Sequence, residues 1–583
     1  MIPCMGTRTE YLPAVDGLRA VAVLAVVAYH AGLPVPAGFV GVDVFFVISG
    51  YLITRLLQDE LRASGRIDIL GFYARRARRI LPALLSVVLA TLAAAYLLLP
   101  EAESRQAANA AAAAAVFSAN IFFASADTGY FDPATHTNPL LHLWSIGVEE
   151  QFYLLWPLIM LWSRRRAIVA IAVVGSASLL LAEILLAADL TREAFYQTPP
   201  RAWELAVGGL IAVVRPRTRA WVGSLGIGVT VAACLVPFGH FPGVGALLAL
   251  AGAAMVIVAA GAGHRLPLLE TRPFVGVGLT SYSLYLWHWP IFVLGGELPI
   301  WAKVAASLSA AWASYWLIEK PFRHKWVKPP RETLAIAIGA VACVCSAAVV
   351  SAAFIPDHRE TAIALPQECD TWYHSSNVMR CEFGEGKRIA VIVGDSVVLQ
   401  WFPALHRIYV SKGWRVVVIT KSSCPMIDAP FFYDRIGREF TECAEWRSEV
   451  LEWIHAARPE VVITGSSNSY PFTSEQWKDG SKRVLSELST AAGRVFLIRS
   501  TPLLTPGGHK PFDETWWSEL EAASSYANVK PIDLNQLVCP KGICDREKNF
   551  RDARHISPDL ALALSPALEP LLSPTRLLQM EDR

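Results

Sequence analysis

Charged residues are scarce in this sequence, and their charges almost cancel. Asp, Glu, Lys and Arg make up 17% of the 583 residues, and the formal net charge is +2. Such a small excess argues against nucleic acid as a partner, because binding a phosphate backbone needs a basic surface. The sequence also has no CxxC pair. A zinc site is therefore a poor explanation for its cysteines, and no metal site is expected.

No segment is typical of a cleavable signal peptide. The first apolar run, from Leu18 to Ala31, is interrupted by Arg19 and His30, and more apolar runs follow it. Hydrophobic residues are abundant, at 54% of the sequence. They are concentrated in residues 1–355, whereas residues 356–583 have the mixed charge of a soluble domain. The chain is therefore expected to contain a membrane part and a soluble part.

The membrane part contains many apolar stretches of spanning length. A spanning helix needs about 20 apolar residues. Candidates begin near residues 17, 39, 80, 107, 142, 167, 202, 221, 244, 276, 300 and 333. The basic clusters that indicate orientation are Arg75–Arg79, Arg164–Arg166, Arg215–Arg219, His264–Arg272 and Lys320–Lys328. If the N-terminus is cytoplasmic, the basic clusters all lie on the cytoplasmic side only when the alanine-rich segment 107–124 does not cross the membrane.

We therefore predict about eleven spanning helices. Segment 107–124 is expected to be a re-entrant or surface helix, and residues 356–583 to be extracytoplasmic. The soluble part independently suggests an oxidising compartment, because its six cysteines have short spacings that suit three local disulfides. The candidate pairs are Cys369 with Cys381, Cys424 with Cys443, and Cys539 with Cys544. The alternative is a set of buried thiols in a cytosolic domain.

Two stretches of the membrane part carry ionisable groups within apolar runs. Arg19 and His30 are eleven residues apart, which puts them on one helix face about 16 Å apart. His30 could act as a general base or could be a structural histidine. The stretch His142–Pro157 contains Glu149 and begins another apolar run. Ionisable groups in membrane helices are costly and usually functional. The topology predicts that His142 and Glu149 lie near the outer mouth of the fourth span, opposite the basic clusters.

Further motifs follow the same pattern of charged groups with aromatic or small residues at helix ends. They are Phe45–Gly50, Phe72–Pro82, Arg201–Glu204, Ser281–Pro290 and Glu319–Arg323. Together with Asp16–Arg19, His30 and His142–Pro157, they resemble the membrane acyltransferase-3 family in its order, over about residues 10–325. The resemblance implies O-acylation, usually O-acetylation, of a cell-envelope carbohydrate such as lipopolysaccharide O-antigen or peptidoglycan. It also implies acetyl-CoA as the cytoplasmic donor.

The resemblance assigns roles to individual residues. His30 becomes the leading catalytic residue, and Arg19 supports it. Glu149 is expected near the active cavity. The residues expected near the CoA phosphates are Arg75, Arg76 and Arg79, and the plausible second members of the site are Asp43, His142 and Arg201. Acyl transfer to a hydroxyl needs a base or a nucleophile, and histidine can serve as either.

The soluble part has the pattern of an α/β domain. Strands are expected at residues 387–393, 414–419, 461–465 and 494–498, with helices around 442–457 and 474–492. This alternation predicts a parallel sheet, whose active site lies at the carboxyl ends of the strands. Ser396 follows the first strand in a Gly-Asp-Ser sequence, and Asp552 and His555 stand near the end of the chain. These are the parts of a hydrolase triad.

This part resembles the SGNH esterase and acyltransferase family. The resemblance implies Ser396 as nucleophile, His555 as base and Asp552 as its orienter. The oxyanion-hole candidates are Ser396, Gly465 and Asn468. Val397 stands where many fused domains have histidine, and the usual Gly-x-Asn block is not cleanly present. The alternative is a decayed domain that binds carbohydrate.

The combined prediction is a polytopic α-helical membrane domain over residues 10–325, a last transmembrane helix and linker over 326–385, and an extracytoplasmic SGNH-hydrolase-like domain over 386–575. It places a multi-pass protein in the bacterial inner membrane, where the lipid bilayer and an envelope carbohydrate are its partners. The predicted activity is O-acetyl transfer. The alternatives are a membrane-anchored SGNH carbohydrate esterase and a transporter.

Overall fold

The computed structural model divides the chain into two compact units. The first runs to Ile355 apart from Pro100–Ala102, and the second begins at Pro356. The structure describes residues 11–99, 101–125, 138–163, 166–188, 190–236, 241–296, 298–354, 369–371, 375–433, 438–505, 508–510, 513–542, 544–545, 549–550 and 554–572.

The first unit is helical throughout its described part. Its helices are α1 (Pro13–His30), α2 (Gly41–Ser64), α3 (Ile69–Leu98), α4 (Glu101–Ala115), α5 (Ala119–Ser125), α6 (Trp144–Trp162), α7 (Ala167–Ala187), α8 (Thr191–Tyr196), α9 (Thr198–Val214), α10 (Ala220–Leu235), α11 (Leu247–Gly261), α12 (Arg272–Leu294), α13 (Ile300–Ser314), α14 (Lys320–His324) and α15 (Pro330–Phe354). A π-helical turn, Tyr315–Glu319, joins α13 to α14.

Six helices in the described residues are long and apolar enough to cross a membrane. They are α1, α3, α7 and α15, with α2 and α11 each extended by the short helical turn that precedes it. The shorter helix α10 is also apolar. The predicted number of about eleven spans is not reached by this criterion and stays a prediction.

The alanine-rich segment 107–124 does not form one helix. It is divided between α4 and α5, and Phe117 between them has a left-handed backbone with φ 57°. Its small side chains allow close packing, and Ala107, Ala111 and Asn120 are fully buried. One face of the segment therefore packs within the unit, while Val116 and Ile121 are exposed, and the re-entrant or surface placement stays a prediction.

Glycines bring two pairs of helices into backbone contact. A Cβ atom on Gly50 of α2 would lie 1.9 Å from the carbonyl oxygen of Leu205 in α9. A Cβ atom on Gly278 of α12 would lie 1.9 Å from the carbonyl oxygen of Asp16 in α1. Glycine is therefore required for both contacts. They set α2 against α9 and α1 against α12, and each of these helices carries an ionisable residue of the sequence motifs.

The second unit has a central β-sheet with helices on both faces. Its strands are β1 (Asp370–Thr371), β2 (Cys381–Phe383), β3 (Ile389–Gly394), β4 (Arg415–Lys421), β5 (Phe432–Tyr433), β6 (Arg438–Glu439), β7 (Val461–Gly465), β8 (Arg494–Ile498), β9 (Leu503–Thr505), β10 (Gly508–Lys510) and β11 (Val529–Ile532). Its helices are α16 (Ser396–Leu399), α17 (Phe402–Val410), α18 (Thr441–Ala457), α19 (Ser474–Ala491), α20 (Asp513–Ala523), α21 (Asn535–Val538), α22 (Pro558–Ala563) and α23 (Ser565–Leu572).

The main sheet has the strand order β1-β4-β3-β7-β8-β11, and these neighbours are parallel. The prediction of a purely parallel sheet is wrong in one respect, because β2 pairs antiparallel with β4 and makes the sheet mixed. Alternate residues of β3 face opposite apolar layers: Ala390 and Ile392 belong to one, and Val391 and Val393 to the other. Burial on both faces explains why this strand is a continuous apolar run.

Three disulfide bonds lie in the described part of the second unit. They join Cys369 to Cys381, Cys424 to Cys443, and Cys539 to Cys544. These are the pairs that the spacing predicts. The chain segments that they close are short, with sequence separations of 12, 19 and 5 residues.

Candidate active sites

In the second unit, Ser396 stands at the carboxyl end of β3 as the first residue of α16. The turn before it depends on Gly394, which has φ 147°. A Cβ atom there would lie 2.5 Å from the carbonyl oxygen of Gly465 on the neighbouring strand. Asp395 caps the helix by accepting a hydrogen bond from the N–H of Val397 at 2.9 Å. The Gly-Asp-Ser sequence is thus explained residue by residue by a tight turn from strand to helix.

His555 lies against Ser396. Its Nε2 atom is 2.9 Å from the Ser396 Oγ atom, so the hydroxyl can donate its proton to the ring. The loop that carries His555 is held in place by Gln400, which accepts a hydrogen bond from the N–H of Ile556 at 2.8 Å. Asp552, the predicted orienter, lies outside the described residues, and its role stays a prediction.

Asp395 connects the nucleophile turn to the loop after β7. Its carboxylate accepts hydrogen bonds from the N–H of Ser467 at 2.8 Å and from the hydroxyl of Tyr470 at 2.7 Å. Burial raises the pKa of Asp395, and these two hydrogen bonds act in the opposite direction. The carboxylate therefore fixes the distance between Ser396 and the residues proposed for the oxyanion hole.

Two of the three predicted oxyanion donors, Ser396 and Gly465, lie at the ends of neighbouring strands. Gly465 ends β7 and pairs with Gly394 in the sheet, next to Ser396. The backbone N–H of Asn468 already donates to Ser500 Oγ at 3.3 Å. The side-chain amide is thus the group of Asn468 that remains as a candidate donor, and the oxyanion assignment stays a prediction.

In the first unit, a cavity brings together four of the predicted residues, Arg19, Arg76, Arg79 and Glu149. Ser49 and Glu150 also line it, with several tyrosines and apolar side chains. His30 and Arg75 are not part of its lining. Arg75 instead forms an exposed ion pair with Glu60 at 3.3 Å. The predicted residues therefore do not form a single site.

Glu149 lies beside the arginines rather than on the opposite side from them. Arg76 Nη2 is 2.5 Å from Glu150 and 3.7 Å from Glu149. The guanidinium also lies 3.9 Å from the centre of the Tyr153 ring. The prediction that Glu149 lies away from the basic clusters is wrong, because Glu149 in α6 and Arg76 in α3 meet where the two helices approach each other. Its position at the outer mouth stays a prediction.

Glu149 is held by a small hydrogen-bond network on the cavity wall. Its Oε1 atom accepts hydrogen bonds from the hydroxyl of Ser49 at 2.8 Å and from that of Tyr153 at 2.7 Å. Ser49 belongs to the Phe45–Gly50 motif, so this network joins two of the sequence motifs. The motifs therefore meet in space at the cavity.

His30 lies at the end of α1 away from Arg19, about 16 Å along the helix. Its Nδ1 atom is 3.1 Å from Nε2 of His288, and its ring lies 4.6 Å from that of Trp289. Both partners come from the Ser281–Pro290 motif on α12. The cavity lies beside α1 at the level of Arg19, and the histidine pair lies at the level of His30, near the other end of α1.

The other residues suggested for the site are buried in the helix packing. Arg201 forms ion pairs with Asp43 at 3.0 Å and with Glu204 at 3.2 Å, and all three are fully or almost fully buried. Because Asp43 is on α2 and Arg201 is on α9, this cluster ties two helices together. His142 donates from Nε2 to the carbonyl oxygen of Leu286 at 3.1 Å. Asp43, His142 and Arg201, the predicted second members of the site, do not line the cavity.

Sequence reasoning missed some residues that the structure brings into the two sites. Glu150, the neighbour of Glu149, takes the shorter ion pair with Arg76. His288 lies within the motif Ser281–Pro290, but the sequence assigns it no role. Tyr470 and Gln400 carry no motif that could have identified them, because their contacts arise only from the packing of distant segments.

The sequence profile of the acyltransferase domain family matches residues 12–349, which include the cavity and the histidine pair. The chain belongs to the acyltransferase-3 family. A second profile, that of the SGNH domain fused to acyltransferase-3 domains, matches residues 368–570. The chain therefore combines an acyltransferase-3 domain with the SGNH domain that is found fused to such domains.

Among the similar proteins, O-acetyltransferase OatA of Staphylococcus aureus is 34% identical over 355 residues, which are 55% of this chain and 58% of the relative. The putative peptidoglycan O-acetyltransferase YrhL of Bacillus subtilis is 32% identical, over 54% of this chain and 55% of the relative. The chain thus matches little more than half the length of these relatives.

The periplasmic domain of the lipopolysaccharide acetyltransferase from Salmonella ser. Paratyphi A is a solved structure with some similarity. It is 17% identical and has a TM-score of 0.27, and the match covers 32% of this chain and 84% of the other. A similarity this low carries no argument about the present chain.

Proposed function

We propose that the protein is an O-acetyltransferase that moves an acetyl group from cytoplasmic acetyl-CoA across the membrane to a hydroxyl of a cell-envelope polysaccharide. The observation that carries this proposal is the Ser396–His555 pair, with 2.9 Å between Oγ and Nε2, in a chain of the acyltransferase-3 family. An inactive SGNH domain, fused to the membrane part, would need no activated serine. Relatives named as O-acetyltransferases support the same reaction.

The two candidate acceptors are peptidoglycan and lipopolysaccharide O-antigen. The names of the Bacillus subtilis relative and of a Listeria monocytogenes relative, at 32% and 31% identity, specify peptidoglycan. These names favour peptidoglycan as the first acceptor to test.

The donor is expected to bind at the cavity of the first unit. Arg79 lines this cavity, and its buried Nε atom has no hydrogen-bond partner among the residues that the structure describes. Such a donor group suits a phosphate oxygen of coenzyme A. Arg76 already has carboxylate partners in Glu149 and Glu150, so Arg79 is the stronger candidate for the phosphates.

The proposal places the protein in the bacterial inner membrane with about eleven spans and the SGNH unit outside the cytoplasm. In the part of the chain that the structure describes, six helices meet the length and hydropathy requirement for spanning. The three disulfide bonds of the second unit favour an oxidising compartment.

The serine would act as an acetyl carrier. Ser396 Oγ attacks the acetyl carbonyl carbon while its proton passes to His555 Nε2, and the previous carrier leaves with its electron pair and takes up the proton. A sugar hydroxyl then gives its proton to His555 and attacks the same carbon. The bond between Ser396 Oγ and the acetyl carbon breaks, and the proton returns to Ser396. In the first unit, His30 acts as base or as acyl carrier.

The same pair would also allow a membrane-anchored esterase, because water can replace the sugar hydroxyl in the second step. Mass spectrometry of envelope glycans from cells with and without the gene distinguishes the two functions. A transferase increases O-acetyl groups, and an esterase decreases them. A decrease would overturn the proposed function.

A further inference from the structure

We propose that His288 is a positioning residue for His30. It accepts a hydrogen bond from His30 Nδ1 and thereby keeps the reactive lone pair of His30 on Nε2. The inference rests on the proposed part of His30 in acetyl transfer. It holds whether His30 removes a proton or carries the acetyl group, because both tasks need a lone pair on a defined nitrogen.

The first step of the argument is the position of the hydrogen on His288. Its Nδ1 atom lies 2.7 Å from the carbonyl oxygen of Tyr285 and 3.2 Å from that of Leu284. Carbonyl oxygens only accept hydrogen bonds, so Nδ1 must carry the hydrogen. In the neutral ring this leaves the lone pair of His288 on Nε2.

The second step transfers this assignment to His30. Its Nδ1 atom lies 3.1 Å from His288 Nε2, the atom that carries the lone pair. The hydrogen of His30 is therefore on Nδ1, and its lone pair is on Nε2. Two backbone carbonyls of α12 thus determine, through His288, which nitrogen of His30 can react.

The surroundings of His288 make this arrangement rigid. The side chain is fully buried, and its ring is nearly parallel to that of His30, with 5.3 Å between centres and 19° between planes, as for two rings that meet edge to edge through a hydrogen bond. Trp289 contacts the His30 ring from the same helix. Nearer the start of α1, the close approach of Gly278 to Asp16 holds α12 against α1. The two imidazoles therefore have little room to exchange partners.

The pair also suits the charge that develops on His30. When the hydroxyl proton of the carrier that later passes the acetyl group to Ser396 moves to His30 Nε2, the hydroxyl oxygen bonds to the acetyl carbon. The carbon–sulfur bond of acetyl-CoA breaks, and the thiolate of coenzyme A leaves with the electron pair and later takes the proton. Between these events the His30 ring is positive, and its Nδ1–H donates a charge-assisted hydrogen bond to His288. A neutral acceptor can thus do for His30 what a carboxylate does for the histidine of a triad.

Two variants of similar polarity separate this role from packing. In His288→Gln, the amide can reach the position of Nε2 and accept from His30. In His288→Asn, the shorter amide reaches only the position of Nδ1. The full-length variants are compared in inverted membrane vesicles with radiolabelled acetyl-CoA, by measuring acetylated envelope glycan and the amount of full-length protein.

We expect His288→Asn to lower kcat by about 10²-fold with little change in KM for acetyl-CoA, because lost positioning removes general-base catalysis but not donor binding. His288→Gln should keep kcat within about ten-fold of the wild type. His264, which bonds the carbonyl oxygen of Thr218 at 2.8 Å, provides a matched control, and His264→Asn should transfer acetyl at the wild-type rate.

A double variant tests whether His288 acts through His30. His30→Ala with His288→Asn should be no slower than His30→Ala alone, because residues that act as a unit are not additive. An additive loss, equal losses in the Gln and Asn variants, or full activity of His288→Asn would each overturn the inference. Full activity of His30→Ala would instead overturn the proposed role of His30. The two failures are therefore distinguishable.

Discussion

His555 Nε2 lies 2.9 Å from Ser396 Oγ, although 159 residues separate them in the sequence. This contact converts an ordinary hydroxyl into a candidate nucleophile. It also joins the beginning and the end of the second unit, because Ser396 follows β3 and His555 follows the last strand of the sheet. The consequences can be tested separately in each unit.

Replacing Ser396 by alanine is expected to stop acetylation of the envelope glycan. The loss should be about 10³-fold or more, because no other group would carry the acetyl ester. Mass spectrometry of O-acetyl groups on extracted peptidoglycan measures the result. Ser411 is an exposed serine of the same unit, and Ser411→Ala serves as the matched control. Wild-type acetylation by Ser396→Ala would contradict a covalent relay through this serine.

Donor binding should depend on Arg79 more than on Arg75. Arg79 lines the cavity, whereas Arg75 pairs with Glu60 at an exposed position. Replacing Arg79 by alanine should raise KM for acetyl-CoA by about ten-fold or more, through the loss of one charged hydrogen bond. Arg75→Ala should change KM by less than about three-fold. Equal effects of the two substitutions, measured in membrane vesicles, would argue against phosphate binding in this cavity.

The disulfide bonds are expected to differ in their effect on stability. The bond between Cys424 and Cys443 closes 19 residues, and the bond between Cys539 and Cys544 closes 5. Loop-closure entropy predicts a cost of about 3 kcal/mol for losing the first and about 2 kcal/mol for the second. Thermal unfolding of the paired Cys→Ser variants in detergent measures this order. A larger loss for the shorter loop would show that chain entropy does not dominate.

Local signals explain why much of the second unit could be predicted from the sequence. β3 is a continuous apolar run because both of its faces are covered, and Gly394 marks the turn that presents Ser396. The strand β2 escaped prediction because it has only three residues and takes its position from pairing with β4. Tyr470 escaped because its partner, Asp395, is brought to it by the register of β3 and β7.

The first unit was less predictable because its sites depend on contacts between helices. The motif around Arg19 and His30 could be read from one helix, but the partner His288 is 258 residues from His30. The position of Glu149 relative to the basic clusters was predicted wrongly from topology alone. A topology gives the side on which a helix begins, but it does not give the depth at which α3 and α6 bring Arg76 and Glu149 together.

Glu519 should make the stability of the second unit depend on pH. Burial raises the pKa of this carboxyl from 4.5 to about 8, and the nearby charge of Asp395 acts in the same direction. The folded state therefore binds this proton more tightly than the unfolded state does. The resulting stabilisation is complete below about pH 4.5 and is lost as the pH rises towards 8, with a total of a few kcal/mol.

Replacing Glu519 by glutamine keeps the shape of the side chain but removes its titration. The unfolding temperature of the wild type should therefore fall between pH 5 and pH 8 relative to that of Glu519→Gln, whose profile should be flatter. Tryptophan fluorescence during heating of the detergent-solubilised chain follows this difference. Glu521, an exposed carboxylate of the same helix, offers Glu521→Gln as the control, which should keep the wild-type slope. Parallel profiles for all three proteins would mean that Glu519 is already ionised in the folded unit at neutral pH.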